Sequence, residues 1–214
     1  MPESLAGRLS ALGVCQFTGE LSSKAPTPGG GGASALIGSL AASLGAMAAN
    51  LTIGKKKFLP YEQDHFRIIA EADKLRLRLL ELMDEDAAAF EPLSRVYSLD
   101  KSMPGYAEQL ETATLNACRA PFEMMECCCT LIALLEELRE KCSVLLLSDV
   151  GCAALAARCA LESASMNVFV NTRMLLESAE AETLSKKAQA MLEEYLPRAQ
   201  AVADSVMTYL RTPK

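Results

Sequence analysis

Tryptophan is absent, aromatic residues make up only 5% of the chain, and His65 is the single histidine. Sheets draw on aromatic and β-branched residues, so this poverty, with no credible strand run anywhere, argues for helices. One histidine removes most histidine-based metal sites. A basic excess is also missing: 21 Lys and Arg stand against 27 Asp and Glu, a formal net charge of −6. Binding to nucleic acid needs clustered cations to neutralise phosphates, so that function class is excluded. The opening segment MPESLAGRLSALG carries an acid early and no long apolar stretch, which argues against a signal peptide.

What is present is small and aliphatic. Half of the 214 residues are hydrophobic and 22% are charged, enough to fill one core in a single domain spanning 1–214. Alanine and leucine dominate, both strong helix formers. Eight cysteines suggest disulfides at first sight, but Cys127, Cys128 and Cys129 are consecutive, and Cys118, Cys152 and Cys159 sit in apolar helical text. Neighbours on a helix point about 100° apart, so three in a row cannot close around one ion. They read as core-filling thiols in a reducing, cytoplasmic setting, with no metal.

Turn signals and periodicity predict an all-α, single-domain bundle of about six helices. A short amphipathic helix is expected over 3–13. A loop through Thr18 and Gly19 leads to Ala25–Gly32, where two prolines and four glycines interrupt regular structure. Residues 33–53 form an uncharged helix with small residues three or four apart. Its length permits a membrane span, but its Ser, Gly, Asn and Thr fit better a helix buried among others, or at a dimer interface. Pro60 is expected to open a helix over 61–90 in its first turn, ended or kinked by Pro92. A loop around Asp100–Gly105 precedes a helix over 106–139. Inside it, Pro121 should free a carbonyl one turn earlier. Ser148 or Asp149 is placed to cap a helix over 150–178, and a last helix covers 180–211.

Four groups of residues carry potential chemistry. The run Pro28, Gly29, Gly30, Gly31 is neither a P-loop nor a dinucleotide fingerprint. It is either a flexible linker or a bare backbone leading into a helix N-terminus, where N–H groups can meet a ligand closely. Lys55, Lys56 and Lys57 complement a helix dipole, or form a patch for a polyanionic tail. Asp86 and Asp149 sit in apolar text. Buried, either would suit acid–base work; the alternatives are a solvated face for Asp86 and an N-cap for Asp149. Asn167 and Asn171 share one helical face, and their amides need partners in a neighbouring helix, a facing subunit or a ligand.

Together these elements resemble the formiminotetrahydrofolate cyclodeaminase / methenyltetrahydrofolate cyclohydrolase family. The resemblance rests on PTPGGGGASALIGSLAASLGAMAANLTIGKKKF (Pro26 to Phe58), on Asp86–Phe90, on ATLNACRAPFEMME (Ala113–Glu126) and on SDVGCAALAARCALESASMNVFVN (Ser148–Asn171). Gly32 departs from it, standing where the family usually has serine. The resemblance implies an all-helical homodimer acting on a folate substrate, with or without a polyglutamate tail. It implies no membrane, nucleic acid, metal, nucleotide or nicotinamide, and no cofactor beyond the tetrahydrofolate derivative itself. Cyclodeamination of formiminotetrahydrofolate to the methenyl form plus ammonia is the leading activity. Cyclohydrolysis of the methenyl form to 10-formyltetrahydrofolate is the alternative, and a non-catalytic folate-binding dimer a third. With one histidine available, aspartate must carry much of the proton transfer. Asp149 is then the expected principal acid–base group, with Asp86 as its partner or as the stabiliser of the cation. The backbone of Gly29, Gly30 and Gly31 and Asn167 or Asn171 would hold the pterin, Lys55, Lys56 and Lys57 would meet the glutamate tail, and Pro28 and Ser148 are also expected to contact the substrate.

Overall fold

The computed structural model describes residues 8–175 and 178–213. Among these, six α-helices and three short 3-10 turns form an all-α bundle. The helices are α1 (Val14–Leu21), α2 (Gly30–Asn50), α3 (Glu62–Tyr97), α4 (Tyr106–Lys141), α5 (Leu147–Thr172) and α6 (Ala179–Arg211).

Small side chains set the spacing of the core. A Cβ added at Gly38 of α2 would lie 3.1 Å from Leu79 of α3 and 3.4 Å from both Cys128 of α4 and Ala160 of α5. One glycine thus sits where four helices converge, and only hydrogen fits there comfortably. The fully buried Ala35, Ala41, Ala42, Ala48 and Ala49 continue that close contact along α2. Further out, ion pairs from Arg67 to Glu137 (2.5 Å) and from Arg78 to Glu123 (2.6 Å) join antiparallel α3 and α4. The Ser143 N–H donates to Thr52 Oγ1 (3.1 Å), tying the end of α2 to the turn before α5. His65 Nε2 lies 2.9 Å from the Lys141 carbonyl, at the end of α4.

Several boundaries differ from the sequence expectation. Of the helix expected over 3–13, residues 1–7 lie outside the described residues, and the rest holds only a 3-10 turn, Leu9–Ala11. The expected loop at Thr18 and Gly19 is instead α1, held by the buried Phe17. Pro60 falls in the 3-10 turn Lys56–Tyr61, just before α3. Pro92 does not end α3, which continues to Tyr97. Leu93 and Val96 bury there against Ala113 and Ala117, which offsets the one lost hydrogen bond. Ser148 and Asp149 do not cap α5: Leu146 is the N-cap, and both lie within the first turn. There Asp149 still favours the helix dipole. That helix ends at Thr172, six residues early, before Ser178 caps α6 by accepting from the Ala181 N–H.

Five cysteines are buried and three, Cys15, Cys152 and Cys159, are exposed. Burial pushes the Cys118, Cys127 and Cys142 thiols up to about 11 and Cys129 to about 12. These groups stay protonated and behave as apolar filling, whereas Cys152 and Cys159 do not fill the core as expected.

Among the described residues, two segments, Gly30–Asn50 and Val144–Thr172, are long and apolar enough to cross a membrane, with mean hydropathies of 1.5 and 1.8. Both pack in the bundle, but the most apolar stretch of the second is only 39% buried, against 61% for that of the first. On α2, Leu40 and Met47 stay exposed, with Leu51 just past its end, and on α5 Leu155, Met166 and Val170 do. The α2 helix is therefore covered on most sides rather than all.

Gly38→Val is expected to destabilise the fold by about 1–3 kcal/mol through overpacking. Urea denaturation checks this; an unchanged midpoint would mean that the four helices can part at that position without cost.

Candidate active site

The glycine run is helical from Gly30, with Gly29 as N-cap in extended backbone. The linker alternative is thereby removed: the glycines form the first turn of α2. Their bareness is required by what lies over them. A Cβ at Gly31 would fall 2.3 Å from Asp86 Oδ2, and one at Gly30 would fall 3.4 Å from Asn167 Oδ1. The start of α2 is therefore overlaid by a carboxylate from α3 and an amide from α5.

Asp86 is half-buried, and burial pushes its carboxyl up to about 6 from an ordinary 3.8. The Gly32 N–H donates to it and pulls in the opposite direction, as does the positive end of α2. Desolvation wins because one hydrogen bond replaces a full water shell. A carboxyl titrating near 6 can both take and give a proton close to neutral pH. The first-turn N–H groups of Gly30 and Gly31 have no carbonyl within their own helix to bond. They form a donor surface beside Asp86.

The two asparagines divide the work. Asn167 donates from Nδ2 to the Ser163 carbonyl (3.0 Å), which leaves Oδ1 facing the start of α2 as an acceptor. Asn171 donates from Nδ2 to the Ala117 carbonyl of α4 (3.4 Å). That carbonyl lies four residues before Pro121 and is the one the proline frees. The Asn171 amide is thus occupied in joining α5 to α4, and it also hydrogen-bonds the Cys118 thiol. One turn before Cys118, the Thr114 hydroxyl is fully buried without a partner among the described residues.

Other expected site residues lie elsewhere in the chain. Asp149 and Asn167 are eighteen residues apart on one helix, about 27 Å at 1.5 Å per residue. Asp149 and Ser148 therefore sit at the opposite end of the bundle from Asp86, and the two aspartates do not meet within one chain. Lys55, Lys56 and Lys57 follow the far end of α2, about 30 Å from the glycine turn. Lys57 lies 5.6 Å from the Phe58 ring. The structure brings together Pro28, Gly29, Gly30, Gly31, Asp86 and Asn167, with Asn171 as a brace behind. Sequence reasoning missed Thr114 and Cys118 beside that brace; the readable signal was Pro121, which marks the carbonyl they flank.

A family profile described as Formiminotransferase-cyclodeaminase matches residues 13–190. A methenyltetrahydrofolate cyclohydrolase of Methylorubrum extorquens is 36% identical over 182 residues, 83% of this chain and 88% of the relative. The formimidoyltransferase-cyclodeaminase of Rattus norvegicus is 26% identical over 194 residues, and the match spans only 36% of that longer protein. The crystal structure of a formiminotetrahydrofolate cyclodeaminase from Thermotoga maritima superposes with a TM-score of 0.80 at 29% identity, covering 94% of this chain and 97% of the other.

The raised Asp86 carboxyl has a consequence for stability. The folded state binds this proton more tightly than the unfolded one, so ionisation costs stability as pH rises from the unfolded value of 3.8 through about 6. Asp86→Asn, which keeps an acceptor for the Gly32 N–H, is expected to stabilise the fold by about 1–3 kcal/mol at pH 8. The gain should shrink to nothing as pH falls toward 4. Thermal unfolding across that range checks it, and a gain independent of pH would contradict the burial argument.

Proposed function

The chain belongs to the formiminotransferase-cyclodeaminase family, a folate one-carbon enzyme family, and from that premise we propose that it hydrolyses the methenyl bridge of 5,10-methenyltetrahydrofolate to give 10-formyltetrahydrofolate. The observation that carries the chemistry is the half-buried Asp86 carboxyl, set against the bare first turn of α2 and titrating near 6. The relative that favours hydrolysis over deamination is the cyclohydrolase, 36% identical and matched over nearly its whole length. This reverses the order that the sequence motifs alone suggest.

The step balances around one carboxyl group. Ionised Asp86 takes a proton from water as its oxygen bonds to the cationic bridging carbon. The tetrahedral adduct then loses its C–N5 bond. N5 receives the proton held by Asp86, the hydroxyl proton passes to solvent, and a formyl group remains on N10. The negative carboxylate stabilises the cationic bridge before attack, while Asn167 Oδ1 accepts from a pterin N–H.

Cyclodeamination is the second reading, favoured by the likeness to the Thermotoga maritima structure. There N10 attacks the formimino carbon carried on N5, and protonated Asp86 delivers the proton with which ammonia leaves. The absorbance of the methenyl chromophore separates the two. Purified protein mixed with methenyltetrahydrofolate is expected to bleach it faster than the uncatalysed background. A rise in absorbance with ammonia release from formiminotetrahydrofolate, without that bleaching, would overturn the hydrolytic reading in favour of the second.

We also propose that the protein works as a homodimer. In support, Cys152, Leu155, Cys159, Glu162, Met166 and Val170 form an exposed stripe along α5 at three- and four-residue spacing, the seam of a helix pair. Leu40 and Met47 of neighbouring α2, and Leu51 just past its end, extend it. An antiparallel pairing of two α5 helices centred near Arg158 carries Asp149 of one protomer to the Asn167 end of its partner. That would restore to the site the aspartate that one chain cannot supply. Light scattering is expected to give twice the 23.0 kDa chain mass, and Leu155→Glu to return it to the single value. A monomer at micromolar concentration would refute the pairing.

A further inference from the structure

Resting on the folate reading above, we propose that the groove between α3 and α4 receives the carboxylate-bearing tail of the substrate, and that Arg119 is the cation that meets it.

Two adjoining cavities form this groove. The smaller, about 370 Å³, includes Glu85, Ala88 and Ala89 of α3 and Arg119 of α4 in its wall. The larger, about 710 Å³, continues past Pro92 and Glu108 to Glu180 at the start of α6. Arg119 and Asn116 line both, so they stand at the junction.

The groove lies at the height of the proton-transferring group. The ion pairs Arg67–Glu137 and Arg78–Glu123 fix the antiparallel register of α3 and α4. Extended by eight residues from the Arg78–Glu123 pair, that register sets Asp86 level with about Leu115, one turn from Arg119. Ala89, one turn from Asp86 on α3, and Ala120 of α4 both line the groove.

Arg119 is also available. Arg67, Arg76, Arg78, Arg95, Arg139 and Arg198 are each ion-paired, and Arg158 hydrogen-bonds Gln200. Arg119 makes no ion pair or hydrogen bond among the described residues and is exposed. A guanidinium lining a cavity with its donors unused is a fitting partner for a carboxylate. Glu85, the acid beside it, is already held by Arg78 at 2.5 Å.

Within one chain the lysines are badly placed for the same task. They follow the far end of α2, about 30 Å from the glycine turn, whereas one aminobenzoyl ring separates the one-carbon bridge from the first glutamate. Beyond Arg119 the groove becomes acidic, with Glu108 and Glu180 in its wall. A second or third glutamate on the tail would approach those carboxylates. The groove therefore suits one glutamate and gains nothing from more.

The experiment uses the full chain and three forms of the methenyl compound: without glutamate (the tetrahydropteroate form), with one, and with three. Arg119→Gln is expected to raise KM for the single-glutamate form on the order of 10- to 100-fold, the worth of a charge-assisted hydrogen bond, with kcat unchanged. It should leave the tetrahydropteroate form unaffected, and Arg119→Lys should restore part of the loss. Wild-type KM should not fall from one glutamate to three. An equal rise for substrates with and without glutamate would mark a structural effect and overturn the proposal. So would an unchanged KM in Arg119→Gln, above all if Lys55→Gln, Lys56→Gln and Lys57→Gln together raised it instead. If the wild type turns over none of these compounds, the hydrolytic reading fails by itself. Calorimetric titration with tetrahydrofolate and tetrahydropteroate then reads the groove directly: Arg119→Gln must weaken the first and spare the second.

Discussion

The absence of a side chain at Gly31 is the constraint on which the site depends. Any Cβ there would collide with the Asp86 carboxylate, so the close approach of α3 to the start of α2 exists only because that position is bare. The approach is prepared much deeper in the bundle. Gly38, two turns along α2, lets α3, α4 and α5 converge at once, and the alanines beyond it hold the same spacing. Packing in the middle of the bundle thereby determines electrostatics at its end. A carboxylate pressed onto a helix N-terminus would ordinarily titrate low, yet the same packing strips water from Asp86 and drives it the other way.

Two kinds of contact hold the remaining wall in place. Long ion pairs fix the register of α3 against α4, and one amide, that of Asn171, fixes α5 against α4. The second depends on a proline. Without the N–H that Pro121 lacks, the Ala117 carbonyl has no helical partner, and Asn171 supplies one. Exposed ion pairs contribute little to stability, so their worth here is in alignment. They set which residues of the α3–α4 groove share a height with the Asp86 carboxyl.

The sequence made much of this legible, by different physical routes. Helix content followed from composition, and the larger helices from apolar spacing. Pro121 announced a free carbonyl before any partner was known. The missed boundaries share a cause: at Pro92 and at Ser148–Asp149, tertiary burial outweighed a local signal. At the site, the glycine run, Asp86 and Asn167 were readable and converge in space. Asp149, Ser148 and the lysines were equally readable, and fall at the other end of the bundle. A motif in one dimension does not say which end of a helix its residues occupy once the neighbouring helices reverse direction. Arg119 escaped notice because an arginine on a solvent-facing stripe looks like any other until its missing partner and the groove beside it are seen.

The most direct test of the account is the pH dependence of kcat/KM for methenyltetrahydrofolate hydrolysis by the wild-type chain. The general-base role of Asp86 requires the rate above background to rise with pH and level off, with an apparent pKa near the 6 that burial imposes. In Asp86→Asn that limb should vanish along with most of the activity. A profile flat from pH 5 to 8, or an Asp86→Asn variant that retains the same limb, would contradict it.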